Sequence, residues 1–192
     1  MLHDAADSIL VLVDLQARLM PAIRHGEQVV RECVRLATIA RRLGVPVVGT
    51  EQSPGSLGAN LAEVTALCDR TFAKDSFDAC ADGLCEILPA TRRRVIVAGC
   101  EAHVCVLQTA LGLLGHGREV TLLVDATGSR KAIDHDTAVA RLAAAGALPA
   151  TVEMVAFEWL RSARHEHFRD ALRHIKSPAI GHAAPGDLPR PD

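Results

Sequence analysis

The run Ile9-Leu10-Val11-Leu12-Val13 constrains this chain more than any other segment, because it is apolar without a break, rich in β-branched residues and closed abruptly by Asp14. A strand with one wet face alternates apolar and polar side chains. An unbroken run needs cover on both faces, which a parallel sheet between two helix layers supplies. Similar runs occur at Arg94–Gly99 and Glu119–Val124, the latter followed by Asp125. Helical stretches lie between. Val29, Cys33, Leu36, Ala40 and Leu43 step by 4, 3, 4 and 3, a stripe down one face of a helix over Glu27–Leu43 with Gly44 as its stop. Weaker patterns predict strands over Val45–Gly49, Thr71–Lys74 and Thr151–Val155. They predict helices over Leu61–Cys68, Asp82–Leu88, Val104–Leu114, Asp134–Ala145 and His165–Ile175. Strands alternating with helices at this spacing make βαβ units. The expected fold is therefore α/β, a three-layer αβα sandwich around a six-stranded parallel sheet. A single domain is expected over residues 1–176, with a Pro/Gly-rich tail over 177–192 expected to be disordered.

Charge and composition narrow the function classes. The 192 residues carry a formal charge of −2 and only 3% aromatics, with no Tyr, which argues against a nucleic-acid footprint or a base-stacking platform. The longest apolar runs are about ten residues, too short for a membrane span. Asp4 and Asp7 precede the first apolar run, the wrong start for a secretory leader, so a cytoplasmic protein is expected. Six cysteines stand at 33, 68, 80, 85, 100 and 105 without a CxxC pair. The pairs Cys80/Cys85 and Cys100/Cys105 lack a His pair at zinc-finger spacing, so reduced, unpaired thiols are expected.

Ligands of open parallel sheets bind beyond the carboxyl ends of the strands. The polar residues expected there are Asp14, Lys74, the segment Cys100–Cys105, and Asp125. Singly, each has a plain structural explanation: Asp14 as a cap, Lys74 as a solvated loop charge, Cys105 as a small buried hydrophobe. Cys105 falls in the first turn of a helix entered from a strand, where the helix dipole lowers a thiol pKa toward thiolate. Together the three make a set of parts for acyl transfer: a base, a cation and a sulfur nucleophile, with backbone N–H groups for an oxyanion.

The segments Leu10-Val11-Leu12-Val13-Asp14-Leu15-Gln16, Thr71-Phe72-Ala73-Lys74-Asp75-Ser76-Phe77 and Gly99-Cys100-Glu101-Ala102-His103-Val104-Cys105-Val106-Leu107-Gln108-Thr109-Ala110 resemble the isochorismatase-like cysteine hydrolase family. Thr50-Glu51-Gln52, Asp125-Ala126 with Ser129-Arg130, and Phe157-Glu158-Trp159-Leu160-Arg161 extend the likeness over about residues 8 to 176. Glu-Ala-His-Val-Cys-Val is similar to the branch called isochorismatase domain-containing proteins. The resemblance implies a triad of Asp14, Lys74 and Cys105, a cis peptide at Cys100–Glu101, and an oxyanion hole from the backbone N–H groups of Glu101 and Cys105. It also implies a cofactor-independent enzyme for a small-molecule substrate and a homo-oligomer, dimeric or larger. Trp159 and leucines near the C-terminus are expected to offer apolar surface to the partner copy. Thr50-Glu51-Gln52-Ser53-Pro54-Gly55-Ser56 holds no histidine, unlike the metal site of nicotinamidases, and no metal is expected. Cys105 argues against the vinyl-ether chemistry of siderophore-pathway isochorismatases, which typically lack that thiol.

Weaker expectations concern the pocket. Gln16 and Gln52 are candidates to face it, against backbone hydrogen bonding; Leu19, Phe72 and Phe77 are candidate walls, against core packing; His103 either lines the site or caps the helix. His3, His116, His135, His165, His167 and His174 read as surface residues. The expected function is hydrolysis of a small amide or related acyl compound through a Cys105 thioester. A thiol-reactive or ligand-binding regulatory module and an isochorismate hydrolase are the alternatives.

Overall fold

The structure, a computed structural model, describes residues 2–176; the expectation made for 177–192 lies outside the described residues. Its centre is a sheet of six parallel strands: β1 (Ser8–Val13), β2 (Val47–Gln52), β3 (Arg70–Lys74), β4 (Arg94–Cys100), β5 (Glu119–Gly128) and β6 (Leu148–Ala150). They lie in the order β3-β2-β1-β4-β5-β6. The helices are α1 (Gly26–Arg42), the single turns α2 (Pro54–Leu57), α3 (Ala62–Thr65) and α4 (Leu84–Ile87), then α5 (Leu107–Gly115), α6 (Ala132–Ala144), α7 (Val152–Leu160) and α8 (Phe168–Lys176). The chain is α/β with helices on both faces of the sheet.

The unbroken apolar run of β1 splits between the two layers as the pleat demands. Leu10 and Leu12 pack with Cys33, Leu36, Ala37 and Ala40 of α1 and with Val155, Ala156 and Trp159 of α7. Ile9, Val11 and Val13 pack on the other face with Val106, Leu107, Ala110, Leu113 and Leu142 from the α5 and α6 side. Helix α1 stops at Gly44, whose φ of +67° suits glycine. There Val45 N–H donates to Ala40 O and Gly44 N–H to Arg41 O, the paired bonds of a Schellman ending.

Three expectations need correction. Thr151–Val155 is the start of helix α7, not a strand. Thr151 caps it by accepting from Met154 N–H at 3.3 Å, and Asp125 accepts from Val152 N–H at 3.0 Å, so orphan donors of the first turn are satisfied. The edge strand falls just before it, at Leu148–Ala150. Nor does β5 end before Asp125. Between the pairs Val97↔Leu122 and Gly99↔Thr127 it bulges, spending five residues where β4 spends two, and it runs on to Gly128. Finally, Trp159 is 3% exposed, its indole N–H donating to Ser8 Oγ at 3.0 Å, so it offers no surface to a partner; Met154 and Phe157 on the same helix are exposed. Among the described residues no helix is long and apolar enough to cross a membrane.

Strands β1 and β4 are neighbours from which the chain order departs in opposite directions, so the crevice past their carboxyl ends is the topological switch point of the sheet. Gly99 makes their close approach feasible. Its φ is +115°, and a Cβ there would overlap the carbonyl oxygen of Val13. Gly99→Ala is therefore expected to cost more than ~4 kcal/mol and leave little folded protein, since both backbone strain and overlap must be relieved. Chemical denaturation checks this, and a stability within about 1 kcal/mol of wild type would contradict the stated packing.

Candidate active site

Asp14 is the first residue beyond β1. Its left-handed φ of +49° turns the chain off the sheet, its N–H donates to Thr50 O, and its side chain is wholly buried. A buried carboxylate needs partners. Thr50 Oγ donates to Asp14 Oδ1 at 2.6 Å, and Lys74 Nζ donates to Oδ2 at 2.9 Å. Both side chains of this ion pair have no solvent exposure.

Lys74 closes β3 and stands in register with Gln52, the last residue of β2. Its ammonium has three donors, and each has an acceptor: Asp14 Oδ2, Gln52 Oε1 at 2.7 Å and Ser76 O at 3.3 Å. Gln52 is itself oriented, its Nε2 donating to Asp75 O at 2.6 Å, which leaves Oε1 for Lys74. The Cys105 thiol also reaches that oxygen, 3.8 Å away, a weak S–H contact.

Cys105 sits past β4. The Cys100–Glu101 peptide is cis, and a π-helical turn over Ala102–Val106 leads directly into α5. Glu101 O accepts from both Val104 N–H and Val106 N–H, and the Glu101 carboxylate accepts from Arg130 Nε at 2.9 Å. The thiol is 6% exposed. Burial pushes its pKa up to about 12; the nearby Asp14 charge pushes the same way and Lys74 partly opposes them. The expectation of a thiolate raised by the helix terminus is thus corrected. Desolvation and an adjacent anion outweigh the dipole and the lysine, so the resting group is a neutral thiol beside an anchored carboxylate.

The structure brings Asp14, Lys74, Gln52 and Cys105 to one rim. It does not bring the other pocket candidates there as side chains aimed at the sulfur. Gln16 clamps backbone: its Nε2 donates to Gln52 O and Gly58 O, and its Oε1 accepts from Gln52 N–H, which pins the end of β2. Leu19 packs in the α1 layer, and Phe72 in the layer that holds Cys105. Phe77 is half exposed. His103 pairs with Ser129 Oγ at 3.0 Å and faces Asp134. Asp125, expected at a strand end, lies within β5 and serves the start of α7 instead. His3, read as a surface residue, is 1% exposed, its ring bonded to Glu158 and Thr121.

Sequence reasoning missed Thr50, the hydroxyl that holds Asp14, and the Arg130–Glu101 pair. Thr50 could have been found from the period-2 rule, since it lies two residues before Gln52 on the same face of β2. The Arg130–Glu101 pair depends on how β5 bulges and carries no local signal.

The isochorismatase domain family model matches residues 8–154. Isochorismatase domain-containing protein 2A of Mus musculus is 36% identical over 180 residues, spanning 89% of this chain and 84% of that protein. Among solved structures, the MAR1 ribonuclease of Caenorhabditis elegans aligns with a TM-score of 0.87 at 30% identity, over 98% of this chain and all of that one. The ycaC gene product of Escherichia coli, described as an octameric hydrolase of unknown specificity, aligns with a TM-score of 0.83 at 26% identity, over 90% of this chain and 87% of its own.

Proposed function

This chain belongs to the isochorismatase domain family, and from that membership we propose that it is a cofactor-independent cysteine hydrolase for a small amide or related acyl compound. One observation carries the reading: a fully buried Asp14–Lys74 pair beside a buried thiol whose pKa burial pushes up. A lone buried Cys needs no such company, and a buried charge pair is an expensive feature to keep for packing alone.

In the proposed reaction Asp14 accepts the Sγ proton as the sulfur bonds to the substrate carbonyl carbon. The carbonyl oxygen becomes an oxyanion facing the backbone N–H groups of Glu101 and Cys105. Collapse breaks the C–N bond, and the leaving amine takes the proton from Asp14, which leaves a thioester on Cys105. Asp14 then takes a proton from water as the hydroxyl adds to the thioester carbon. Collapse expels the sulfur, which recovers that proton, and a carboxylic acid departs. No electron is exchanged with a cofactor. Lys74 donates to Asp14 Oδ2 and so orients the base, and it also holds Gln52 Oε1, the oxygen that the thiol reaches. The active form is proposed to be a homo-oligomer, in keeping with the octameric E. coli relative.

The test is turnover of a panel of small amides and esters, with intact-mass measurement of the enzyme during the reaction. The reading expects carboxylic acid product and a transient acyl mass on the Cys105 peptide. Isochorismate cleavage that survives Cys105→Ala, cleavage of RNA without a covalent adduct, or oxidation products alone would each overturn it.

A further inference from the structure

A second group of chemically active side chains lies outside this site. Cys80, Cys85 and His116 have their ligand-type atoms all within 4.8 Å of one another. Each comes from a different piece of chain. Cys80 is in the 3-10 turn Ala79–Asp82, Cys85 in the single turn α4, and His116 caps the end of α5. Gly83, at φ +100°, makes the corner that returns Cys85 toward Cys80. The cysteines are separated by four residues with no His pair at zinc-finger spacing beside them, and the histidine arrives only through the packing of α5.

Two thiols side by side suggest a disulfide first. The imidazole argues for more. His116 Nδ1 lies 2.8 Å from Gly112 O, and because a carbonyl only accepts, that nitrogen must carry the hydrogen. The other ring nitrogen is left with its lone pair. A metal-binding histidine is usually oriented this way, one nitrogen donating to a backbone carbonyl and the other free for the ion. Burial grades in the same sense: Cys80 is buried, Cys85 half-buried and His116 exposed, so one side of the cluster is closed by protein and the other opens to water.

We propose that Cys80, Cys85 and His116 form a site for a zinc-class divalent cation, held by two thiolates and one imidazole with water as the fourth ligand. Tetrahedral zinc with bonds of ~2.3 Å to sulfur and ~2.0 Å to nitrogen sets donor separations of roughly 3.5–3.8 Å. The observed spread, within 4.8 Å, needs a contraction of at most ~1.3 Å, within the reach of side-chain rotation at Cys85 and His116. Two soft sulfur donors and one imidazole favour zinc over the oxygen-preferring magnesium or calcium. Such an ion would tie the segment after β3 to the far end of α5. That segment carries Ser76, whose carbonyl accepts from Lys74, and α5 follows the turn that holds Cys105. The site is a structural clamp at the end of α5 away from Cys105 and does not depend on the proposed reaction.

The experiment is titration of the reduced full chain with Co2+ alone, followed by displacement with Zn2+. One equivalent of cobalt is expected to raise a thiolate-to-cobalt charge-transfer band together with the visible bands of four-coordinate cobalt, and zinc should abolish both. Cys85→Ser should remove most of the charge-transfer intensity. His116→Ala should weaken binding by at least the ~10-fold that loss of a supporting partner alone costs. Both positions are accessible enough for the variants to fold, and Zn2+ should raise the Tm of wild type but of neither variant. Cys105→Ala should leave the spectra unchanged. Absence of the charge-transfer band, indifference of the band to Cys85→Ser and His116→Ala, or closure of a Cys80–Cys85 disulfide in the presence of Zn2+ would overturn the proposal.

Discussion

Cys105→Ala is expected to lower kcat on any substrate of the wild-type protein by at least ~10^4-fold, because loss of the nucleophile removes the covalent route entirely. The fold should survive. Removing one sulfur from a small buried site costs on the order of 1 kcal/mol, far below the price of disrupting the sheet. Circular dichroism and chemical denaturation of the variant alongside steady-state kinetics check both halves. Retention of more than about a tenth of wild-type activity would remove the sulfur from the mechanism, whatever else the site does.

Lys74→Met should also lower stability strongly. It takes away the one cation that, among the described residues, pairs with a carboxylate of no exposed surface, and leaves it the Thr50 hydroxyl. Breaking a buried pair from one side costs about 3–5 kcal/mol, and for a chain of this size that lowers Tm by roughly 10 °C. The double variant Asp14→Asn/Lys74→Met should recover much of the loss, because no unpaired charge then stays buried and Asn tolerates the left-handed φ at position 14. Recovered stability without recovered turnover would separate the structural cost of the pair from its chemical use. Thermal melts and activity measured on the three variants give the comparison. A Lys74→Met protein as stable as wild type would show that Asp14 is not held as a buried anion.

How much of this could be read in the sequence depended on whether the signal was local. The two-sided burial of β1 was legible because an unbroken apolar run has one physical reading in a soluble protein, and α1 was legible because its stripe spans four turns with a glycine stop. Thr151–Val155 was not. Five apolar-rich residues fit a strand or the first turn of a helix equally well, and the choice is made by Asp125, 27 positions away, accepting from Val152 N–H. The strand-end rule places Asp14, Lys74 and Cys105 on one rim, and the structure does bring them together there. The acidity of the thiol was misread, since a helix terminus is visible in sequence whereas the depth of a sulfur and the sign of its nearest charge are not. His3 fails for the same reason, its partner Glu158 lying 155 positions away. The Cys80/Cys85 spacing was visible, but its histidine belongs to another helix.

The central claim is that Cys105 rests as a thiol and depends on Asp14 to lose its proton. Charge alone and base catalysis make opposite statements about Asp14→Asn. Removing the anion, with Lys74 still present, makes the thiol more acidic, so thiolate should become more abundant. Removing the base should nevertheless slow turnover by ~10^2–10^4-fold. The decisive measurement is the pH dependence of Cys105 alkylation, resolved by peptide mass spectrometry, set against kcat for wild type and Asp14→Asn. The predicted result is a wild-type alkylation rate still climbing above pH 9, a variant profile displaced to lower pH, and a variant that is slower in turnover despite its extra thiolate. A wild-type profile already level at neutral pH, or a variant whose turnover rises in step with its thiolate, would contradict the account.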